Sequence, residues 1–378
     1  MKAAIFAGNG RFEIREVPLP EIPEGWARVK VGAAGICGSD LHIIRGEHPV
    51  LPDAVGHILG HENAGVVTEI AGDGRWGGGG AAIAEGDRVG IEPLTTCGEC
   101  VYCRTGYYYL CESLKHVGIA YPGGFAEYTV APVNKLYRLP EGLAFTLASL
   151  LDPLAVAVHA VNVADVGVSD RVLVYGDGPV ALCIIGVLNV MGVRDISIVG
   201  HHDRNLRKAT SMGAVCAVNS RRDSSRDGVS NDVSGYGEAD AGSHDNGGGA
   251  RPCGNVRGAK RFDVVFQCVG GGAQVMRDLI PRVERLGRVV LLGIATDLQL
   301  VPAFEVMARE IRIIGSNSYG YFRQRPEFEI ALEMLDAHKL LFSHVITHEI
   351  SLDEIEKGFE MLTEKDKSGA IKVVVVPR

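Results

Sequence analysis

The chain has 378 residues, too many for one ordinary hydrophobic core and enough for two domains. Apolar residues make up 46% of the sequence and charged residues 22%, which is typical of a globular protein and excludes a largely disordered one. The formal net charge of −8 argues against nucleic acid as a partner, because phosphate binding requires clustered basic side chains. No apolar run has the roughly 18 residues of a membrane span, and the first residues do not form a secretory signal. We therefore expect a cytoplasmic protein without a membrane partner.

The first 150 residues or so alternate short β-type runs with glycine and proline. The runs are WARVKVGAAGIC, AGVVTEI, GDRVGIEP and FAEYTVAP. This pattern predicts a β-rich unit with long functional loops. The glycine-rich stretch RWGGGGAA, at 75–82, is expected to be a loop inserted between two strands.

Four cysteines within this unit have the spacing C-x2-C-x2-C-x7-C; they are Cys97, Cys100, Cys103 and Cys111. Four thiolates can surround one ion tetrahedrally and leave no open position, which is typical of a structural zinc site. We therefore predict a zinc ion that stabilises this loop and takes no part in chemistry. A zinc finger is an alternative, but the acidic charge and the α/β pattern that follows weigh against it.

From about residue 150 to residue 293, apolar β runs alternate with helical stretches, which predicts a parallel sheet with helices on both faces. The run RVLVY leads directly into G-D-G-P-V-A and an apolar helix, the setting of a dinucleotide-binding turn. Backbone amides at such a turn bind the pyrophosphate. The candidate cofactor-binding residues here are Gly176, Gly178, Pro179 and Val180. Turns at the carboxyl ends of later strands add Val269, Gly270, Gly293 and Ile294.

A segment from about 220 to 260 is rich in Ser, Asp and Gly and nearly lacks large apolar residues, so we predict a mobile surface insertion. The C-terminal part contains two amphipathic helices and a last strand, IKVVVVP, which we expect to return to the first domain. The predicted domains are therefore a discontinuous one, 1–153 with 297–378, and a second one, 154–296, that carries the insertion.

A second set of potential metal ligands is spread over three motifs. Cys37 lies in GICGSDLH, His61 and Glu62 lie in GHENAGVV, and Asp152 lies in DPLAVAVHA. A catalytic zinc requires about three protein ligands and one exchangeable position. A thiolate, an imidazole and a carboxylate meet this requirement, but their spacing leaves open whether they converge.

These motifs and the four-cysteine loop, in this order, resemble the zinc-dependent medium-chain alcohol dehydrogenases, above all the sorbitol, butanediol and threonine dehydrogenase branch. The resemblance covers nearly the whole chain apart from the two insertions. It implies an α/β protein with a GroES-like catalytic domain and a Rossmann cofactor domain, assembled as a homodimer or homotetramer. It also implies hydride transfer between a small secondary alcohol and NAD or NADP. A polyol, a sugar, a diol and an amino alcohol all remain open as substrates.

The resemblance assigns metal ligands residue by residue. Cys37 and His61 match the ligands of the catalytic zinc. Glu62 matches an adjacent glutamate that ligates the metal or exchanges with water. Asp152 occupies a position where relatives carry Glu or Cys, and its shorter side chain leaves direct contact with zinc open.

The resemblance also assigns a proton path. Asp40 matches a carboxylate that orients the ligating imidazole. Ser39 and His42 match a relay in which a hydroxyl binds the substrate oxygen and an imidazole exchanges the proton with solvent. Ser39, His42 and Glu62 are therefore the candidate catalytic side chains.

The end of the strand DISIVG predicts which dinucleotide is used. NAD-preferring folds place a carboxylate there for the ribose hydroxyls, whereas this strand ends at Gly200. His201, His202 and Arg204 follow, with Asp203 between them, and basic groups favour a 2′-phosphate. The sequence therefore favours NADP slightly over NAD.

Two other functions fit parts of the pattern. A zinc-free quinone or enone reductase of the same superfamily would lack the ligand set, so the presence of Cys37, His61, Glu62 and the four-cysteine loop weighs against it. A non-catalytic nucleotide-binding regulator would be expected to have lost metal or relay residues. Among the metal and relay residues, only Asp152 departs from the family pattern.

Overall fold

The computed structural model describes residues 1–48, 51, 53–72, 76–222, 261–295 and 298–377. The predicted insertion at 220–260 therefore lies, from residue 223 onwards, outside the described residues. The first residue of the glycine-rich stretch 75–82 also lies outside them. Contacts divide the chain into two units, one formed by Met1–His159 with Ser318–Arg378 and one formed by Ala160–Asn317.

Strands and short helices alternate along the described chain. The strands are β1 (Lys2–Gly8), β2 (Arg11–Glu16), β3 (Trp26–Gly35), β4 (Glu62–Ile70), β5 (Arg88–Ile91), β6 (Leu94–Thr95), β7 (Lys115–His116), β8 (Tyr128–Pro132), β9 (Leu136–Arg138), β10 (Arg171–Tyr175), β11 (Asp195–Gly200), β12 (Cys216–Asn219), β13 (Phe262–Gln267), β14 (Val283–Leu291), β15 (Arg312–Gly315), β16 (Tyr321–Phe322), β17 (Arg325–Pro326), β18 (Ile346–Ser351) and β19 (Lys372–Val376). The α-helices are α1 (Gly38–Ile44), α2 (Val101–Arg104), α3 (Phe145–Ala148), α4 (Leu151–Val163), α5 (Pro179–Val190), α6 (Asp203–Ser211), α7 (Val275–Leu279), α8 (Ala303–Ala308), α9 (Glu327–Ala337), α10 (Lys339–Ser343), α11 (Ile355–Thr363) and α12 (Lys365–Ser368). Short 3₁₀ turns lie at Gly78–Gly80, Tyr108–Leu110, Val133–Lys135, Ile280–Arg282 and Leu352–Glu354.

Unit 1 is built around a seven-stranded sheet with β3 at its centre. β3 pairs antiparallel with β4, β8 and β19. Its side chains alternate, so that Ala27, Val29 and Val31 are buried, as expected for a sheet with one face against a core. Because β19 is the last strand of the chain, its pairing with β3 makes this unit discontinuous.

Unit 2 contains a six-stranded parallel sheet with the order β12-β11-β10-β13-β14-β15. This is the order of a doubly wound nucleotide-binding sheet, in which the strand order reverses between β10 and β13. Val172, Leu173 and Val174 in β10 are all fully buried, because helices cover both faces of such a sheet. The predicted α/β fold class with a Rossmann domain is confirmed.

The unit boundaries differ from the predicted domain boundaries. The sequence places the end of the second domain at 296, whereas unit 2 extends to Asn317. The reason is that β15 pairs with β14 as the last strand of the parallel sheet. At the other boundary the units change at His159, inside α4, and not at 153.

One helical stretch, Phe145–Val163, is by length and composition apolar enough to cross a membrane. It joins α3 and α4 and carries Asp152 and His159, so it is not an uninterrupted apolar run. Its most apolar window is 67% buried inside the protein, which is the property of a core helix.

Candidate active site

Cys37, His61 and Glu62 converge in unit 1, and we call them the mixed cluster. Cys37 directly precedes α1, close to the end of β3, and His61 and Glu62 stand at the start of β4. Because the antiparallel register places Gly35 opposite Glu62, these chain segments meet at one end of the sheet. One ligand atom from each of the three side chains lies within 4.8 Å of the other two.

Asp40 and Ser39 lie on opposite nitrogens of the His61 ring. The Asp40 carboxylate accepts a hydrogen bond from the Cys37 backbone N–H at 2.9 Å, and its other oxygen lies 3.5 Å from Nδ1 of His61. The Ser39 hydroxyl lies 3.3 Å from Nε2 of His61. Burial lowers the pKa of His61, but the Asp40 carboxylate and the Cys37 sulfur outweigh burial and raise this pKa well above its ordinary value. Asp40 thus lies on the Nδ1 side of the ring, and Ser39 lies on the Nε2 side.

Glu62 is held by a lysine from the last strand of the chain. Nζ of Lys372 donates to both carboxylate oxygens of Glu62, at 2.7 and 2.6 Å, and to the carbonyl oxygen of Ile36 at 3.1 Å. Both charged groups are 1% exposed. Gly35 is required beside them, because a Cβ there would lie 2.1 Å from a Glu62 oxygen. The sequence analysis missed Lys372, although a lysine inside the apolar strand IKVVVV signals a buried partner.

Among the described residues, Asp152 is not part of the mixed cluster. One of its oxygens accepts a hydrogen bond from the Tyr319 hydroxyl at 2.7 Å. Desolvation raises the pKa of Asp152 to about 6, and the negative charge of Glu62 contributes to this shift. Tyr319 is fully buried. No motif in the sequence pointed to this tyrosine.

Other histidines surround the mixed cluster. His42 follows Ser39 on α1, and its Nδ1 lies 3.1 Å from the Glu47 carboxylate. Burial, with smaller contributions from the charges of His61 and His48, lowers the pKa of His116 to about 4. Burial also lowers the pKa of His48. The sequence motifs had not singled out His48 or His116.

The four-cysteine loop forms a second, separate cluster. Its four sulfur atoms all lie within 4.8 Å of one another. Backbone N–H groups of the loop point at the sulfurs: that of Cys100 lies 3.3 Å from Cys97 Sγ, and that of Cys103 lies 3.5 Å from Cys100 Sγ. The latter bond is the main reason that the pKa of Cys100 falls to about 6. The loop thus presents sulfur ligands at the distances that one metal ion requires.

The glycine turn of unit 2 follows β10, as the sequence indicates. Gly176 has a φ of +122°, which favours glycine, and a Cβ there would lie 3.1 Å from the Cys268 carbonyl oxygen. Gly178 precedes the first turn of α5, and Pro179 and Val180 begin that helix. The N-terminus of a 12-residue helix therefore follows the turn directly, as anion binding requires.

A carboxylate that was not expected from the sequence lies next to the end of β11. Asp177, in the glycine turn, accepts hydrogen bonds from the backbone N–H groups of His201 and His202 at 2.9 and 2.7 Å. Its Oδ2 also lies 3.0 Å from Nδ1 of His202. A Cβ at Gly200 would lie 2.5 Å from Asp177 Cβ, so glycine is required where the two segments meet. Arg204, also predicted to bind the cofactor, is the second residue of α6.

The two later candidate turns lie side by side. Nε2 of Gln267 donates to the Val269 carbonyl oxygen at 2.7 Å, and the Gly293 backbone N–H donates to the Gln267 carbonyl oxygen at 3.0 Å. A Cβ at Gly293 would lie 1.9 Å from the Val269 oxygen. Gly270 and Ile294 each follow directly, beyond the carboxyl ends of β13 and β14.

Comparisons with known proteins identify the protein family. Residues 23–141 match the family model described as alcohol dehydrogenase GroES-like domain, and residues 179–337 match the model described as zinc-binding dehydrogenase. Sorbitol dehydrogenase of Halalkalibacterium halodurans is 30% identical over 98% of this chain and 97% of its own length. L-threonine 3-dehydrogenase of an Anaeromyxobacter species is 30% identical over 96% of both chains. A zinc-binding dehydrogenase of Sinorhizobium meliloti, crystallised with NADP, is 28% identical with a TM-score of 0.80 and covers 100% of this chain and 99% of its own.

The chain therefore belongs to the medium-chain, zinc-binding alcohol dehydrogenase family. It is an oxidoreductase of that family, as the sequence motifs predicted.

Proposed function

We propose that this protein is a zinc-dependent dehydrogenase that moves a hydride between a secondary alcohol and a nicotinamide dinucleotide. The observation that carries the proposal is the convergence of a thiol, an imidazole and a carboxylate in the mixed cluster, with a serine hydroxyl beside the imidazole. Sulfur, nitrogen and oxygen ligands of this kind fit a zinc site that keeps one position open. When bound, zinc would act as a Lewis acid on the substrate oxygen, and the nicotinamide would exchange the hydride.

Cys37 and His61 would hold the metal, together with Glu62 or a water molecule. Asp40 would keep Nδ1 of His61 protonated and leave Nε2 for the metal. The contact between Ser39 and Nε2 supports a role for the Ser39 hydroxyl in binding the substrate oxygen. His42 is partly exposed, which suits a group that exchanges the proton with solvent.

Glu62 and Asp152 are each held by another side chain, which limits how either carboxylate could reach the metal. Lys372 neutralises Glu62 and engages both of its oxygens, so Glu62 would approach the metal only by giving up part of this pair. Tyr319 holds Asp152 by a hydrogen bond to one oxygen. We therefore propose that Asp152 acts from outside the metal's ligand set, through its charge, and that Tyr319 positions it.

We propose that the four-cysteine loop binds a structural zinc ion. Four sulfur ligands leave no open position, so this ion would contribute folding free energy and no chemistry. The backbone N–H groups that point at Cys97 and Cys100 support this proposal, because they stabilise thiolate ligands.

For the dinucleotide, the contacts of Asp177 favour NAD. The preference for NADP inferred from the sequence depended on the absence of a carboxylate at the end of β11, and Asp177 supplies one there from the glycine turn. A carboxylate repels a 2′-phosphate and can accept hydrogen bonds from ribose hydroxyls. The two backbone N–H groups bind Oδ2 of Asp177, whereas Oδ1 lies 3.3 Å from Nδ1 of His202 and could accept such bonds.

The dinucleotide proposal is tested with the Asp177→Asn variant. We expect wild-type enzyme to favour NAD in kcat/KM, and Asp177→Asn to shift the ratio toward NADP by roughly tenfold, since about 1.4 kcal/mol corresponds to a factor of ten. The dissociation constants of both dinucleotides should shift in parallel. Asp203→Asn is the matched control, because Asp203 bonds Asn219 instead. A wild type that prefers NADP, with a ratio that Asp177→Asn leaves unchanged, contradicts the proposal.

For the substrate we propose a polyol, sugar, diol or amino alcohol with a secondary hydroxyl. The relatives named for sorbitol and L-threonine support this range, since both compounds carry such a hydroxyl. A panel of these alcohols, followed by the absorbance of the reduced dinucleotide, tests the reaction. Metal analysis of the same preparation should give two zinc ions per chain. One or none, together with no turnover of any alcohol, would contradict the proposed function.

We propose a homodimer or homotetramer that uses the outer edge of the unit 2 sheet. β15 is the edge strand, and large apolar side chains before it are exposed: Leu298 by 92%, Phe304 by 75% and Met307 by 66%. Exposed apolar groups beside an unpaired strand edge favour association. Light scattering should show an oligomer that Phe304→Glu weakens.

A further inference from the structure

A buried histidine–carboxylate pair in unit 1 belongs to neither cysteine-containing cluster. Nδ1 of His159, on α4, donates to Oε2 of Glu327, the first residue of α9, at 2.6 Å. The two side chains are 6% and 2% exposed. Burial of such a pair is costly, and apolar residues of similar volume often stabilise a fold as well or better. A hydrogen-bonded pair, however, can hold two segments in one fixed arrangement.

The same carboxylate oxygen holds the residue that follows Tyr319. The backbone N–H of Gly320 donates to Oε2 of Glu327 at 2.8 Å, and the backbone N–H of Glu327 donates to the Gly320 carbonyl oxygen at 2.9 Å. A Cβ at Gly320 would lie 2.7 Å from the Tyr109 ring, so this ring lies directly against the glycine. One oxygen atom of Glu327 therefore connects α4, through His159, with the neighbour of Tyr319.

A second hydrogen bond connects the same helix with the same segment. The Tyr319 hydroxyl donates to Oδ1 of Asp152 at 2.7 Å, and Tyr319 is fully buried. Asp152 and His159 both lie on α4, about two helical turns apart, so their side chains project from nearly the same face. The contact of His159 with Glu327 and the contact of Asp152 with Tyr319 thus lie along one face of α4.

These contacts lie where the chain leaves unit 1 and where it returns. The first part of unit 1 ends at His159, and the second part begins at Ser318. His159 and Glu327 are 168 residues apart in the chain, so connectivity along the chain does not hold the two segments together. The Tyr109 ring packs edge to face against His159, with 4.9 Å between the ring centres. Contacts within unit 1 therefore set the separation of the two segments.

We propose that Glu327 and His159 are positioning residues, which hold the Tyr319 hydroxyl against Asp152. Glu327 fixes the backbone beside Tyr319, and His159 fixes the helix that carries Asp152, so the shared oxygen sets the distance between the two. The consequence for catalysis rests on the proposed function, in which the charge of Asp152 acts from outside the metal's ligand set. Because neither positioning residue belongs to the mixed cluster, their effect on the reaction passes through Tyr319.

The first test is the crystal structure of Glu327→Leu, which removes the bridging oxygen. We expect the Tyr319 hydroxyl to lie more than roughly 3.5 Å from Asp152, beyond hydrogen-bond distance. Glu327→Gln, which keeps an oxygen that can accept from Gly320, should retain the contact. Glu333→Leu is the matched control, because Glu333 is an exposed glutamate of the same helix, and it should also retain the contact. An unchanged distance between Tyr319 and Asp152 in Glu327→Leu overturns the proposal.

The second test compares kcat/KM in single and double variants, at a temperature where all of them are folded. Glu327→Leu should lower kcat/KM by roughly fivefold, as expected for loss of one hydrogen bond. In a Tyr319→Phe background it should have no further effect on kcat/KM. A pair that only stabilises the fold would lower Tm and leave kcat/KM of the folded enzyme at the wild-type value. That result contradicts the proposal, as does an additive loss of activity in the double variant.

A charge-free variant serves if Glu327→Leu does not fold. His159→Leu combined with Glu327→Gln buries no unpaired charge and removes only the connection to α4. Compared with Glu327→Gln alone, it should show the same lengthened distance and the same loss of kcat/KM. Absence of turnover by the wild type with every alcohol would contradict the proposed function. The crystal structures would still decide whether Glu327 and His159 position Tyr319.

Discussion

The two cysteine-containing clusters of unit 1 are built in opposite ways. The four-cysteine loop draws all its ligands from 97–111, and its own backbone N–H groups point at its sulfur atoms. The mixed cluster draws Cys37 from the end of one strand and His61 and Glu62 from the start of another. Its carboxylate is held by Lys372, which lies 310 residues further along the chain.

The two clusters therefore depend on the rest of the fold to different degrees. A loop that contains all four sulfur atoms requires little of the surrounding sheet, and the proposed metal ion would in turn stabilise the loop. A cluster assembled from several strands requires that the sheet and the last strand have already formed. If the mixed cluster binds zinc as proposed, its three ligands would leave one position for substrate. Variants of each cluster should therefore change different measured quantities.

The largest effect is expected from the ligands of the mixed cluster. Cys37→Ser or His61→Ala should lower kcat/KM by a factor of 10³ or more, because the lost Lewis acid would otherwise lower the activation barrier by about 4 kcal/mol. Metal content should fall from two ions to one per chain, and thermal unfolding should remain cooperative. Cys183→Ala, at a buried cysteine outside both clusters, should keep both metal ions. Full activity in either ligand variant would remove the mixed cluster from the mechanism.

The next effect concerns the lysine that holds Glu62. Lys372→Met leaves a buried carboxylate without its partner, which costs about 3–5 kcal/mol of unfolding free energy. The double variant Lys372→Met with Glu62→Gln should recover much of this loss, because no buried charge is then unpaired. Denaturant unfolding of the single and double variants measures the coupling. Equal stability of Lys372→Met and the wild type would show that the mixed cluster does not depend on β19.

Cys100→Ser should act on stability before activity. Loss of one sulfur ligand weakens a closed site that contributes folding free energy directly. We expect a lower Tm and one metal ion per chain, while the remaining folded enzyme keeps most of its kcat. The opposite order, with activity lost at an unchanged Tm, would assign chemistry to the four-cysteine loop and erase the distinction between the clusters.

The smallest effect is expected at Tyr319. Tyr319→Phe removes one hydrogen bond to Asp152, worth about 1 kcal/mol. We therefore expect kcat/KM to fall by roughly fivefold while both metal ions are retained. The same substitution should have no effect in an Asp152→Asn background if Tyr319 acts only through Asp152. Loss of a metal ion in Tyr319→Phe would instead make Asp152 part of the ligand set.

The four-cysteine loop and the glycine turn were predictable because their information is local. Cysteine spacing within one loop limits which sulfurs can meet, and a strand–turn–helix pattern limits where a phosphate can bind. The parallel sheet was predictable for a related reason, since strands buried on both faces are continuous apolar runs. The resemblance to a family then extended these local patterns to the ligands of the mixed cluster.

Other features depended on contacts between residues far apart in the chain. The sequence could not show that Lys372 reaches Glu62 or that Tyr319 reaches Asp152, since sheet register and helix packing set these distances. Nor could it show that Asp177, in the glycine turn, accepts hydrogen bonds from the backbone N–H groups that follow β11. By itself the sequence determined which chemical groups are available and which local elements carry them. The tertiary structure decided which charges and hydrogen bonds surround those groups, because such partners meet only when the strands pair and the two units fold.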